Sequence, residues 1–286
     1  MARLEAVGAN AAQIEFWNGP TGEQWAKLAD NQDNMHQALG LAAMDACDIR
    51  PGHTVLDVGC GSGATTIEIA RRIGAEGRVL GIDISTPMLN IGRARLEALE
   101  IDVVTFDNKD VATYPFEERT FDRVFSRCGV MFFVDPIAAF ANICSSMKSD
   151  GRLAFVCWQA LNKNPWMEIP LKMALQYVSA PPPAGPEEPG PMALADPDRV
   201  RQILSGAGFE NIKLEPLESK LPIETDVPTA AQKLMLIGPA GRLLRDAPES
   251  IKERAENDLR EAFAKFQTEN GVLVNSAAWI VRATAP

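Results

Sequence analysis

The chain has 286 residues, of which 46% are hydrophobic and 23% are charged. A chain of this length and composition can bury roughly three quarters of its unfolded surface, which excludes a disordered protein. Its 28 basic and 38 acidic residues give a net charge of −10, the wrong sign for a surface that binds nucleic acid phosphates. We therefore expect no nucleic acid partner.

Targeting signals and cysteines both indicate where the protein works. The first residues, MARLEAVGANAAQIEFW, contain neither an apolar signal-peptide core nor a long apolar span, so we expect no export and no membrane insertion. The odd number of scattered cysteines, without a C-x-x-C motif, predicts buried reduced thiols. They are Cys47, Cys60, Cys128, Cys144 and Cys157. Together these features predict a cytoplasmic protein.

Residues 51–160 alternate between short apolar runs and amphipathic segments. This pattern is typical of a parallel sheet covered by helices on both faces. The predicted strands are 54–58, 78–82, 103–106, 121–126 and 152–158. The predicted helices are 64–73, which Gly74 ends, one with Pro87 in its first turn that Ser85 or Thr86 can cap, and 137–147.

The composition changes after Trp158. A proline-rich stretch that includes Pro181, Pro182 and Pro183 predicts an insertion over residues 161–196 that does not continue the alternation. Regular structure returns at Asp196, which can cap a helix that ends at Gly208. A strand over 211–217, helices over 229–244 and 248–267 and a strand over 276–282 are expected to follow, the helices as a cap.

Four regions of one domain are therefore expected. They are an amino-terminal helical lid segment over 1–50, a ligand-binding α/β core over 51–160, the proline-rich insertion over 161–196, and a region over 197–286 that completes the sheet and carries the helical cap.

A glycine-rich turn follows the first predicted strand in the sequence Val55-Leu56-Asp57-Val58-Gly59-Cys60-Gly61-Ser62-Gly63. Glycine permits backbone torsions and close approaches that side chains forbid, so a ligand can lie against this turn. Continued to Ala64, the same residues also satisfy the dinucleotide-binding pattern G-x-G-x-x-A. A nicotinamide-dependent oxidoreductase is therefore one alternative.

Two carboxylates accompany the turn. Asp57 lies two positions before the first glycine, where it suits the ammonium group of an amino acid ligand better than a pyrophosphate, which it would repel. Asp83 ends the second predicted strand, where a carboxylate can accept hydrogen bonds from both hydroxyls of a ribose. The first carboxylate favours an amino acid ligand, and the second is common to both kinds of cofactor.

Four motifs occur in order along this core: D-V-G-C-G-S-G, G-I-D-I-S, K-D-V before Pro115-Phe116, and F-D-R-V-F-S-R. This series resembles the class I S-adenosylmethionine-dependent methyltransferases, of the bacterial small-molecule type and distantly like the ubiquinone and menaquinone C-methyltransferases. The resemblance is strongest over about residues 50–160 and extends to Phe16-Trp17-Asn18-Gly19. It implies a Rossmann-like, seven-stranded methyltransferase sheet with helices on both faces, and S-adenosylmethionine as the cofactor.

The resemblance also implies roles for individual residues. Gly59, Gly61 and Gly63 would lie beside the methionine part of the cofactor, with Asp57 in the network around its ammonium group. Asp83 would hold the ribose and Ser126 would face the sulfonium. Around the adenine, Ile84 and Met88 would pack on the ring, Asp110 would accept a hydrogen bond from its amine, and Val111 would offer a backbone amide.

Methyl transfer needs little beyond an acceptor held in line with the S–CH₃ bond and the exclusion of water, so we expect no metal. No catalytic base is identified, because His53 is interpreted as structural and His36 as a surface residue of an amino-terminal helix. Aromatic residues predict a small-molecule acceptor with an apolar or aromatic part. The substrate or lid residues expected are Trp17, Arg127, which could steer an anionic acceptor, Phe132 and Trp158.

The amino-terminal residues 1–26 are expected to fold over the carboxyl ends of the strands as a lid anchored by Trp17. Asn18-Gly19-Pro20 is a turn-prone stretch that would let the segment bend back. Two alternatives to methyl transfer stay open: a nicotinamide-dependent oxidoreductase, and a catalytically silent S-adenosylmethionine-binding regulatory module. The sequence also leaves open the acceptor, whether O, N, C or S is methylated, and the oligomeric state.

Overall fold

A computed structural model describes residues 4–179, 185 and 188–286. The run Pro181-Pro182-Pro183, expected inside the insertion, lies outside the described residues. Among the described helices, none combines the length and apolarity that crossing a membrane requires.

The strands form a single mixed sheet in the order β3-β2-β1-β4-β5-β8-β6, and the two-residue strand β7 pairs with β8 at its side. Their bounds are β1 Thr54–Val58, β2 Arg78–Asp83, β3 Val104–Asn108, β4 Phe121–Arg127, β5 Met147–Trp158, β6 Glu210–Glu224, β7 Gln267–Thr268 and β8 Gly271–Thr284. Seven long strands and one short bridge confirm the predicted Rossmann-like α/β fold.

Eleven α-helices accompany the sheet in the described part of the chain. Three precede it: α1 Ala11–Asn18, α2 Pro20–Lys27 and α3 Ala29–Cys47. The others are α4 Ala64–Ile73, α5 Thr86–Leu99, α6 Pro136–Ser146, α7 Pro165–Ala174, α8 Pro197–Gly206, α9 Val227–Leu234, α10 Gly238–Leu244 and α11 Glu249–Phe263.

The order of the strands reverses between β1 and β4. Strands β1 to β5 are parallel, and β8 runs antiparallel to both β5 and β6. The chain moves from β1 through β2 to β3 in one direction and from β4 to β5 in the other. Because such crossovers are right-handed, α4 and α5 cover one face and α6 the other. The carboxyl ends of β1 and β4 therefore border the crevice where open α/β sheets bind ligands.

Helix boundaries in the core follow local chemistry closely. Gly74 ends α4 with a φ of +67°, as predicted, and Asp196 accepts hydrogen bonds from two amides in the first turn of α8. Ser85 occupies the N-cap position of α5, as expected, but its side chain makes no capping hydrogen bond. Its hydroxyl instead donates to the carbonyl of Trp17 at 2.8 Å. That bond ties the amino-terminal residues to the core.

The prediction is less accurate outside the core. The insertion is not wholly irregular, since it holds α7, which begins at Pro165. The helix expected over 229–244 is two helices, separated before Gly238, which has a φ of +61°. Strand β6 extends to Glu224 because it pairs with β8 along nearly its whole length. These differences arise from partners distant in sequence.

Candidate functional site

A cavity with about 1330 Å³ of atom-free space, including its opening to solvent, lies at the carboxyl ends of the parallel strands. Residues at or just after five adjacent strands line it: Asp110 at β3, Asp83 at β2, Gly59 at β1, Arg127 at β4 and Trp158 at β5. Because neighbouring strands are about 4.8 Å apart, the cavity spans roughly 19 Å across them. One part of its wall lies toward the β2–β3 end and another toward the β4–β5 end.

The turn after β1 brings bare backbone to the cavity. Gly59 and Gly61 line it with φ values of +66° and +55°, which favour glycine. A Cβ on Gly59 would lie 2.7 Å from the Cα of Gly129, whereas one on Gly61 would meet only the Met88 Cε, at 3.4 Å. Gly59 is therefore needed for packing, and Gly61 leaves space open to the cavity.

Asp83 fixes this turn. One carboxylate oxygen accepts a hydrogen bond from the amide of Gly61 at 2.8 Å, and the other accepts from the amide of Ser85 at 2.7 Å. Burial raises the pKa of Asp83, although these amides act in the opposite direction. Each carboxylate oxygen has a second lone pair, so the group retains the capacity to accept further bonds from a ligand. Ile84 and Met88 lie on the same part of the cavity wall.

Asp110 and Val111 close the β2–β3 end of the cavity. The carboxylate of Asp110 accepts hydrogen bonds from the side-chain amide of Asn10 at 2.7 Å and from the backbone amide of Ala112 at 3.0 Å. Asn10 was not singled out in the sequence. It brings the amino-terminal residues over this end of the cavity.

Three expected ligand contacts, Asp57, Gly63 and Ser126, do not line the cavity. The absence of a side chain at Gly63 is needed for packing, since a Cβ there would lie 2.5 Å from the Phe106 ring. The Ser126 hydroxyl donates to the Val58 carbonyl at 2.7 Å and accepts from the Gly129 amide. Both residues support the cavity wall from behind.

Asp57 is fully buried beneath the first turn of α4. One of its carboxylate oxygens accepts from the hydroxyls of Thr65 and Thr66, at 2.8 and 2.7 Å, and the other has no partner. Burial raises the pKa of Asp57 to about 6, although the two threonines lower it. Asp57 therefore acts on the glycine turn indirectly, through its own backbone and through the first turn of α4, which it holds by hydrogen bonds.

Four residues of the amino-terminal segment line the cavity: Asn10, Gln13, Trp17 and Trp25. Trp17 lines it and packs edge-on against Phe132, with ring centroids 5.1 Å apart. The amide group of Asn18 donates to the Ile84 carbonyl at 2.7 Å and accepts from the Thr86 amide at 2.9 Å. These bonds place the segment over the carboxyl ends of β2 and β4.

The helical cap reaches the same segment from the other side. Ile237 and Gly238, at the start of α10, line the cavity. The guanidinium groups of Arg242 and Arg245 lie 5.7 and 5.6 Å from the centre of the Phe16 ring, a distance at which a cation attracts an aromatic face. The amino-terminal residues are thus held between the core and the cap.

Arg127 lines the cavity as part of an ion-pair cluster. Its guanidinium donates to one oxygen of Asp33 at 2.5 Å, and the other oxygen accepts from Ser62 at 2.6 Å and Arg95 at 2.7 Å. Burial alone would raise the pKa of Asp33, but Arg127, Ser62 and Arg95 hold it below its usual value. The charge of Arg127 is therefore matched within the protein.

At the β4–β5 end the cavity wall is aromatic. Trp158 and Trp166 lie with ring centroids 5.0 Å apart, and His36 packs against them at 5.6 and 5.8 Å. The interpretation of His36 as a surface residue is wrong: only 7% of it is exposed, because α3 turns this side chain toward the cavity. Burial and the charge of Arg127 lower the pKa of His36 to about 3.

Several lining residues were missed in the sequence: Gln13, Gln32 and Asp33, in addition to Asn10. The signal that could have revealed two of them is the polar set Gln32, Asp33 and His36 at one end of α3. These polar residues precede Leu39, Ala43 and Met44, which form the buried apolar face of the same helix. Within the described residues, no group of three or more His, Cys, Asp or Glu side chains could hold a metal ion.

Comparison with known proteins agrees with this geometry. A family model described as a methyltransferase domain matches residues 49–176. Demethylmenaquinone methyltransferase of Bacillus cereus (strain ATCC 10987 / NRS 248) is 31% identical over 135 residues, 44% of this chain and 57% of that protein. The relative of Bacillus anthracis (strain CDC 684 / NRRL 3495) has the same name, identity and coverage. The chain spans little more than half the length of these curated relatives.

Solved structures share the fold. Phosphoethanolamine N-methyltransferase 2 of Haemonchus contortus, in complex with S-adenosyl-L-methionine, has a TM-score of 0.59 at 18% identity, over 98% of this chain and 60% of that one. The YcgJ protein of Bacillus subtilis has a TM-score of 0.57 at 17% identity, over 87% and 98% of the two chains. The matched family model thus identifies residues 49–176 as a methyltransferase domain, and the solved structures share its fold.

Proposed function

We propose that the protein transfers a methyl group from S-adenosylmethionine to a small-molecule acceptor with an apolar or aromatic part, without a metal. The observation that carries this proposal is the single cavity across five strand ends, with a glycine turn and Asp83 toward one end and an aromatic wall at the other. Reactants placed end to end in such a cavity meet above β1 and β4. The name of the demethylmenaquinone methyltransferases supports an apolar acceptor.

The β2–β3 end fits the cofactor. Bound there, S-adenosylmethionine would supply a methyl group on a positively charged sulfur. The bare backbone of Gly59 and Gly61 accommodates its methionine part, and the free lone pairs of Asp83 accept from the ribose hydroxyls. For the adenine, the chain offers apolar contacts and a polar edge, from Ile84, Met88, Asp110 and Val111.

The three residues behind the wall would act indirectly. Asp57 stabilises the start of α4 through Thr65 and Thr66, Gly63 lets α4 approach Phe106, and Ser126 holds the Val58 carbonyl. Each keeps the glycine turn in a conformation that leaves its surface free for the ligand. In this proposal Asp57 influences the ammonium group through the turn and makes no direct contact with it.

At the β4–β5 end, Phe132 and Trp158 would contact the acceptor, and Trp17 would cover both ligands as part of a lid. Exclusion of water strengthens the electrostatic contacts inside the site and helps to hold the acceptor in line. Arg127, already paired with Asp33, would shape the cavity without binding an anionic acceptor. The five free cysteines fit a reducing compartment such as the cytoplasm.

Ligand-induced thermal shifts test the proposal. S-adenosylmethionine and S-adenosylhomocysteine should raise the melting temperature, since a ligand that binds only the folded state stabilises it, whereas NADH and NADPH should not. A selective response to the nicotinamide cofactors would contradict the proposal. Transfer of radioactive methyl from S-adenosylmethionine to a panel of apolar phenols and quinols then tests turnover, and binding without any transfer would indicate a regulatory module.

A further inference from the structure

Gln32 is a buried amide without a partner. Its side chain lines the cavity and only 3% of the residue is exposed, yet neither its Oε1 nor its Nε2 has a hydrogen-bond partner in the described part of the protein. Leaving both a donor and an acceptor unpaired in a buried position is costly. A group of this kind on a cavity wall points to a ligand that supplies the missing partners.

His36 stands one helical turn along α3 from Gln32 and adds an acceptor. Its Nδ1 lies 2.8 Å from the Gln32 carbonyl oxygen. A carbonyl only accepts, so Nδ1 carries the hydrogen and donates it. Burial and Arg127 lower the pKa of the ring to about 3, while Asp33 acts in the opposite direction. The ring is therefore neutral near pH 7, and its Nε2 has a lone pair for a hydrogen-bond donor.

Trp166 completes the polar group. Trp166 lines the same cavity, and its indole Nε1 is buried and has no hydrogen-bond partner among the described residues. The ring lies 5.0 Å from Trp158 and 5.8 Å from His36, centroid to centroid. The three rings thus form one aromatic wall of the cavity, against which a flat apolar molecule can pack, with one N–H donor beside it.

This end of the cavity carries no unmatched charge from the described residues that line it. Asp33 and Arg127 pair with each other at 2.5 Å, and Asp33 also pairs with Arg95. The other charged lining residues, Asp83, Lys109 and Asp110, belong to the β2–β3 end. An anionic or cationic ligand would lose its hydration here without gaining a counter-ion, which favours a neutral one.

Building on the proposed function, we propose that Gln32, His36 and Trp166 form the acceptor subsite and select a neutral, flat aromatic molecule with neighbouring oxygen atoms, of which at least one is a hydroxyl. The hydroxyl donates to the His36 Nε2 or to the Gln32 Oε1. A neighbouring oxygen accepts from the Gln32 Nε2 or the Trp166 Nε1. Aromatic diols and hydroxy-ketones have this arrangement.

Three probes of one ring size separate the contributions, measured by calorimetry on the protein saturated with S-adenosylhomocysteine. Naphthalene-2,3-diol offers donors and acceptors, 2,3-dimethoxynaphthalene offers acceptors only, and 2-naphthoate is an anion. The wild-type protein should bind the diol at least about tenfold more tightly than either of the others, which is the difference expected for one to two hydrogen bonds. Absence of diol binding, or an equal affinity for the three probes, would contradict the inference.

Gln32→Leu separates recognition from structure. Because the leucine removes an unpaired buried amide at similar volume, the melting temperature of the ligand-free protein should rise, while the preference for the diol should fall below about threefold. A lower melting temperature with an unchanged preference would show that the amide is structural. The matched control is Gln202→Leu on the exposed side of α8, which should change neither quantity.

His36→Phe provides a second variant, which keeps the ring and removes Nε2; it should also reduce the preference for the diol. Binding of S-adenosylhomocysteine distinguishes a failure of the proposed function from a failure of the acceptor subsite alone. If the wild-type protein fails to bind it, the proposed function is wrong. If wild-type and Gln32→Leu proteins bind it equally and both keep the same preference for the diol, only the acceptor subsite is wrong.

Discussion

The carboxylates at the β2–β3 end of the cavity and the amide and indole groups at its β4–β5 end differ in whether they already have partners within the protein. At the β2–β3 end, both carboxylate oxygens of Asp83 and both of Asp110 accept hydrogen bonds from the chain. At the β4–β5 end, the side chains of Gln32 and Trp166 have unpartnered polar atoms. One end is organised before any ligand arrives, whereas the other still has hydrogen bonds to form, so substitutions at the two ends should have opposite effects on stability.

The largest effect is expected at the glycine turn. Gly61→Val adds a branched side chain at a φ of +55° and fills space that is open to the cavity, so the affinity for S-adenosylhomocysteine should fall by about a thousandfold or more, ~4 kcal/mol. Calorimetry measures this loss, and far-ultraviolet circular dichroism should stay close to that of the wild-type protein. Global unfolding of Gly61→Val would instead assign the residue a structural role.

A neighbouring glycine provides the comparison. Gly59→Ala places a Cβ 2.7 Å from the backbone of Gly129, so this smaller substitution should lower the melting temperature more than Gly61→Val does. Backbone atoms cannot move aside as a flexible side chain can. The reverse order of melting temperatures would contradict the distinction between a packing glycine and a ligand-facing one.

A smaller effect is expected at Asp83. Asp83→Ala should weaken binding of S-adenosylmethionine by about 1.5 to 3 kcal/mol, because it removes charge-assisted hydrogen bonds to the ribose and frees the amide of Gly61. The affinity of Asp83→Asn, which keeps an acceptor oxygen, should lie between those of the wild-type and Asp83→Ala proteins when measured by calorimetry. Asp102→Ala, an exposed aspartate that does not line the cavity, is the control. An affinity unchanged in Asp83→Ala would remove the ribose contact from the proposal.

The smallest effect concerns the proposed lid. Trp17→Ala removes the edge-on contact with Phe132 and should lower kcat about tenfold, because water enters the site, while the cofactor Kd changes by less than about threefold. Trp17→Phe keeps an aromatic ring and should recover most of the turnover. Deletion of residues 1–26 should likewise reduce turnover far more than it reduces the stability of the core. Wild-type turnover and proteolytic protection in both truncated and Trp17→Ala proteins would show that this segment is not a lid.

The β2–β3 end was largely predictable because its determinants are local. Each parallel strand is a short apolar run, and the residue at its carboxyl end, such as Asp83, reaches the edge of the sheet by continuity of the chain. Asp57 and Ser126, on the central strands β1 and β4, precede the strand ends, and their side chains point into the packing beneath the cavity wall.

The β4–β5 end could not be predicted in the same way. Asp33 meets Arg127 across 94 positions of sequence, and His36 meets Trp158 and Trp166 only after α3 packs on the sheet. A single sequence contains no local signal for such pairings, and for this reason the buried His36 was interpreted as a surface residue. Polar residues near the end of an otherwise apolar helical face, as in α3, are the pattern that would have pointed to them.

The position of β8 between β5 and β6 has a consequence for how the protein is made. The central strands can pair soon after they leave the ribosome, but β6 must wait for residues 271–284 before it joins the sheet. Asn164, which precedes Trp166, is held by the Ala277 carbonyl of β8 at 3.0 Å. During synthesis, therefore, the glycine turn can form well before the aromatic end of the cavity. Until β8 arrives, β5 presents an unpaired edge that invites aggregation.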